Sequence, residues 1–182
     1  FGNASAQPLT PQAMSADARY VVFSTAAAGM VDGGINTFGV TQVYLRDRSA
    51  GTTRLLSRIG SGEAANGTSD QASISADGRY VVFRSVASNL GATGSRLFVL
   101  DTEGGALQTI PLPQASDFSP SLAASAAICR EGRVSNAGDV VMICNMQSAQ
   151  PAQVFRWRRI TGTFELLSRG MASSTALGDA IS

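Results

Sequence analysis

Ser75-Ala76-Asp77-Gly78-Arg79-Tyr80-Val81-Val82-Phe83-Arg84 is the stretch on which the fold turns. It opens with a small polar cluster. Asp77 can bond nearby backbone amides and Gly78 is free to take a positive φ, so the cluster reads as a tight turn. The run Tyr80-Val81-Val82-Phe83 is too short for a helix, is bounded by turn residues and is β-branched and aromatic, so it reads as a buried strand. Ala72-Ser73-Ile74-Ser75 supplies the strand before the turn. The segment is a hairpin.

It occurs three times. Ser15-Ala16-Asp17-Ala18-Arg19-Tyr20-Val21-Val22-Phe23-Ser24 lies 60 residues upstream. Ser135-Asn136-Ala137-Gly138-Asp139-Val140-Val141-Met142-Ile143-Cys144 lies 60 residues downstream, more divergent but aligned in the same register. A second hairpin follows each copy. Residues 43–58 align with 154–169 without a gap, and the middle copy runs through 97–102, a Gly104-Gly105 turn and 107–110. Each unit is therefore two hairpins joined by a variable loop. Four antiparallel strands per unit is the make-up of a propeller blade, and the fold class expected is all-β. A single unit cannot cover its own faces, so neighbours must stack. Val43, Leu45, Leu55, Val81, Phe83 and Val99 are the residues expected to face neighbouring units.

Composition agrees with a folded core and removes several chemistries. Of 182 residues 44% are hydrophobic and only 15% charged, with a net charge of +1, which is the opposite of a disordered chain. No apolar run approaches the roughly 18 residues of a membrane span, and the near-neutral balance gives no electrostatic drive toward nucleic acid. Histidine is absent, and all 14 cationic residues are arginine. Ser-His-Asp and Cys-His catalysis, His-ligated metals, Schiff-base lysine chemistry and a P-loop lysine are thereby excluded.

At these repeats the sequence resembles the TolB-like (WD40-like) β-propeller repeat, with its S-x-D-G-[KR]-x-[IVL]-[AV]-F core and a later [IV]-[YF]-[VL]-x-D-x-x-x-G hairpin. Residues 75–83 match closely, 15–23 match except for Ala18 at the glycine, and 135–143 match loosely. Asp47 and Asp101 stand at the family's second aspartate, and Arg158 replaces it in the third copy. The resemblance implies blades at about 11–58, 71–111 and 128–169, with 178–182 as the first strand of a fourth. Three blades leave two open packing faces, whereas closed propellers have about four to eight. The chain is expected to be part of a longer propeller, or to pair through its open edges with a protein partner or a second copy.

Few residues read as a site. Cys129 and Cys144 flank the third turn almost opposite each other. They are either a disulfide, which implies a periplasmic, cell-surface or secreted location, or two buried thiols. Asp17, Asp47, Asp77 and Asp101 recur blade by blade, which points to turn-tying rather than to convergent catalysis. In the loop Val31-Asp32-Gly33-Gly34-Ile35-Asn36-Thr37, Asp32 and Asn36 offer two side-chain oxygens toward calcium, which takes about six to eight. No cofactor is expected. Arg156-Trp157-Arg158-Arg159 is the one dense cationic cluster. It is either an interaction patch for an acidic partner or an outer strand with solvated arginines and a packed indole. The function expected is a non-enzymatic, extracytoplasmic scaffold for protein or ligand binding. The alternatives are the propeller portion of a secreted hydrolase, with the catalytic domain elsewhere, and a structural subunit assembling through blade edges.

Overall fold

The computed structural model describes residues 10, 12–31, 35, 37, 39–60, 62–105, 107–114, 126–146 and 151–168. The expected fourth-blade start at 178–182 lies outside them. Among the described residues there are eleven strands, one 3-10 turn at Ser88–Leu90 and no α-helix. Strands β1 (Tyr20–Thr25), β2 (Gln42–Asp47) and β3 (Thr52–Leu55) form the first sheet. The second contains β4 (Ser69–Ile74), β5 (Tyr80–Ser85), β6 (Arg96–Asp101) and β7 (Leu107–Thr109). The third contains β8 (Ala126–Val134), β9 (Val140–Met146), β10 (Gln153–Trp157) and β11 (Phe164–Leu166). Each sheet is an antiparallel meander in chain order.

The second sheet is buried on both faces, which is why its two central strands carry the apolar runs Tyr80–Phe83 and Leu97–Leu100. Side chains alternate across a strand. Val81, Phe83, Phe98 and Leu100 pack toward the first sheet with Val22, Val43 and Leu45. Tyr80, Val82, Leu97 and Val99 pack toward the third with Met142, Cys144, Phe155 and Trp157. Each fully buried Val, Leu or Phe contributes roughly 1.5–3 kcal/mol, so the stacking of sheets is the main source of stability. On the far side of the first sheet, Tyr44 and Leu55 are covered by Phe23 and by Met30, Val31 and Ile35 of the loop after β1. The far side of the third sheet is mixed. Val141 and Val154 share it with Arg156, Arg158 and Glu165 by alternation.

Two details differ from the repeat pattern. The first sheet has three strands, and the segment expected as its fourth, at 12–15, makes a single bridge between Met14 and Val21. Its backbone is shared between two sheets: Ala13 O accepts from Val22 N (2.8 Å) while Gln12 O accepts from Ile74 N (2.9 Å). A strand divided in this way cannot complete a ladder with either neighbour. The third hairpin is also out of register. Ser15 N and Ser75 N donate to Tyr20 O and Tyr80 O, five residues on, whereas Ser135 N donates to Asp139 O, four residues on. The residue lost is the one after the left-handed position, so the third turn has no counterpart of Arg19 and Arg79. The later hairpins keep their alignment, with Tyr44 opposite Leu55 and Phe155 opposite Leu166.

Candidate functional site

The repeated polar residues are consumed locally. Ser15 Oγ donates to Asp17 Oδ1 (2.6 Å) and accepts from Tyr20 N (3.0 Å), and Ser75 repeats both bonds with Asp77 and Tyr80. Each aspartate also accepts an arginine amide at 3.0 Å, from Arg19 and Arg79. The same arginines ion-pair with the second aspartates: Arg19 with Asp47 and Arg79 with Asp101, both at 2.9 Å. The third sheet has a different ion pair. Asp139 supplies the carboxylate and Arg156 the guanidinium, at 2.7 Å.

Asp17, Asp47 and Asp101 are held below the ordinary carboxylate range. Arg19, and after it the Ala50 amide, hold the Asp47 carboxyl at about 2, below its ordinary 3.8, and Arg79 lowers Asp101 in the same direction. A folded-state value below the unfolded one gives stability that is fully present above the ordinary carboxylate range and is lost as pH falls toward the folded value. The melting temperature of the Asp47→Asn, Asp101→Asn double variant should therefore lie furthest below the parent's above about pH 4 and converge on it near pH 2. Thermal melts followed by circular dichroism across that window test this.

Between successive sheets the repeat makes one recurrent contact. Gly78 has φ +80, and a Cβ there would lie 2.4 Å from Tyr20 Cδ2. Gly138 has φ +79, and a Cβ there would lie 3.2 Å from Tyr80 Cδ1 and 2.5 Å from Arg159 Nε. Each tyrosine ring thus rests on the turn glycine of the next sheet. Arg159 closes the second of these contacts, with its guanidinium 4.9 Å from the Tyr80 ring centroid and its Nη2 donating to the Tyr80 hydroxyl at 3.2 Å.

No family model matches the sequence, and no curated protein matches it. Among solved structures, TolB from Acinetobacter baumannii matches 89% of this chain and 32% of its own, at a TM-score of 0.52 and 17% identity. The fold is that of a β-propeller, as in TolB. The chain spans about a third of TolB's length. Looser overlays reach a structure described with two prolyl endopeptidases (11% identity, 92% of this chain and 30% of that one, TM-score 0.37). The tricorn protease overlays more loosely still (12% identity, 92% and 17%, TM-score 0.32). Neither is close enough to bear on this chain.

The residues singled out from the sequence fall into place on this propeller. Cys129 and Cys144 lie directly opposite each other on β8 and β9 and are joined as a disulfide, with Cα atoms 4.0 Å apart. In the chain-entropy model, closing a 15-residue separation is worth about 3 kcal/mol. Trp157 is buried in the core between the second and third blades. Arg156 and Arg158 point the other way and both pair with Glu165, at 3.7 and 3.0 Å. The four-residue cluster is thus divided between a core, an ion-paired face and the Tyr80 contact. Asp32 and Asn36 lie outside the described residues.

A different set of arginines has no carboxylate partner among the described residues. A groove of about 490 Å³ runs between the first two blades along their last strands. Leu56, Leu90 and Leu100 line its floor, and Arg54 and Arg58 stand at its rim. A second groove of about 510 Å³ on the other side of β3 shares Arg54 and Arg58 and adds Arg46. Arg54 reaches across the first groove to Thr102 O at 3.5 Å, and Arg46 donates to the Thr53 hydroxyl at 3.1 Å. Among the described residues no carboxylate lies within ion-pair distance of Arg46, Arg54 or Arg58. The sequence carried a signal for this site that the hairpin reading passed over: residues 42–60 hold four arginines and one aspartate.

Proposed function

We propose that this chain is a non-enzymatic propeller segment that acts outside the reducing interior of the cell by binding a protein partner or ligand. One observation carries this reading. The acids and arginines of the blade repeats are spent on their own turns, while the largest arginine cluster left without acid partners borders an aliphatic groove between two blades. Such a groove can hold a ligand; the one hydroxyl in its described lining, on Thr102, donates to Gly78 O, its neighbour Asp101 is paired with Arg79, and the whole sequence contains neither histidine nor lysine. The Cys129–Cys144 disulfide supports an oxidising location, since such bonds persist outside the cytosol.

The purified, oxidised chain should turn over no chromogenic ester, peptide or glycoside above the buffer rate. A rate that co-purifies with the protein and disappears on a single substitution would overturn the non-enzymatic reading.

A further inference from the structure

We propose that the groove between the first and second blades takes an extended acidic peptide, with an aliphatic side chain on its floor and carboxylates on Arg54 and Arg58. This rests on the binding reading above and names the occupant. The floor is aliphatic, with Leu56 4% exposed and Leu90 and Leu100 each 8%. Among the described residues no aromatic side chain lines the groove. Single-stranded nucleic acid is gripped by stacking on aromatic platforms, and this floor provides none. What it can hold is a branched aliphatic side chain.

The rim sets the charge. Arg58 has no hydrogen-bond partner for its side chain among the described residues, and the single contact of Arg54, to Thr102 O at 3.5 Å, is long enough to be exchanged for a carboxylate. Asp101 also borders the groove, but Arg79 neutralises it at 2.9 Å. Arg46 extends the positive edge around β3 into the adjoining groove. The backbone favours an extended ligand. The groove borders the end of β3 and the start of β7, which are edge strands of their sheets, and strand edges carry the unpaired amides and carbonyls to which a peptide in strand form can add. A volume of about 490 Å³ is within the range of small-ligand sites, enough for an anchoring side chain and its neighbours.

The test is fluorescence anisotropy with a fluorescein-labelled octapeptide of alternating leucine and glutamate. Its leucine–glutamine counterpart and a heparin-derived oligosaccharide serve as comparison probes. The parent chain should bind the acidic peptide, and more weakly as salt rises. The Arg54→Glu, Arg58→Glu double variant should weaken binding by about tenfold or more. Arg133→Glu, in the third blade, should leave it unchanged. Arg54 and Arg58 are exposed and Arg133 is half-buried, and near-ultraviolet circular dichroism checks that the variants keep the parent's packing. Equal affinity for the glutamine peptide, equal affinity in the double variant, preference for the oligosaccharide, or no binding of the acidic peptide would each overturn the proposal. Those results concern the occupant alone. Turnover of a chromogenic substrate would count instead against the non-enzymatic reading.

Discussion

Trp157→Ala should lower the stability of the chain by about 3–5 kcal/mol, the usual cost of emptying a core site of this size. The indole is 1% exposed and packs in the core with Tyr80, Val140 and Phe155. Its Nε1 is buried and has no hydrogen-bond partner among the described residues. An unmade bond of this kind costs roughly 1–3 kcal/mol. Trp157→Phe removes that orphaned donor together with part of the ring, so it should cost less than half as much as the alanine change. Urea denaturation of the three proteins measures both differences. Because this is the chain's single tryptophan, its emission also reports directly, and it should be blue-shifted and shielded from iodide. A red-shifted, readily quenched emission with a small alanine penalty would place the indole at the surface, as part of an interaction patch.

Gly78→Val should be nearly as damaging, at about 4 kcal/mol. Two costs add. A β-branched residue at φ +80 carries backbone strain of order 1–3 kcal/mol, and forcing a side chain into the Tyr20 ring adds about 1–3 kcal/mol of overpacking. Gly105→Val separates the two. Gly105 also has a positive φ, +70, but nothing lies within 4 Å of its Cβ position, so only the backbone cost should remain. Adding Tyr20→Ala to Gly78→Val should recover part of the loss, the coupling expected of residues in contact. Denaturant midpoints of these three variants and of Tyr20→Ala alone decide the matter, and identical penalties at Gly78 and Gly105 would remove the ring from the account.

The hairpins, the stacking and the opposed cysteines were legible because each is written in neighbouring residues. Ser75-Ala76-Asp77-Gly78 specifies its own turn through side-chain bonds that span five residues or fewer. The one-residue contraction after Gly138 was not legible. It leaves the serine spacing of 60 intact and shows only in which residue Ser135 pairs with. The incomplete first sheet was hidden for a different reason, since only three-dimensional stacking divides residues 12–14 between β1 and β4. The groove is harder still. Its walls come from three separate segments, around Arg54, Leu90 and Leu100, and a leucine on a groove floor looks in sequence like any other core leucine. Arg156 shows the same limit. Whether an arginine is solvated or paired depends on what lies across the strand, here Asp139.

The central claim is that successive blades engage through the same step, a tyrosine ring laid on the turn glycine of the next blade. Nuclear Overhauser spectroscopy on isotope-labelled protein tests it at both steps at once. The account predicts strong cross-peaks from the Tyr20 ring to Gly78 Hα and from the Tyr80 ring to Gly138 Hα, with the glycine protons shifted by the ring currents. Absence of both cross-peaks in a folded, fully assigned sample would contradict it.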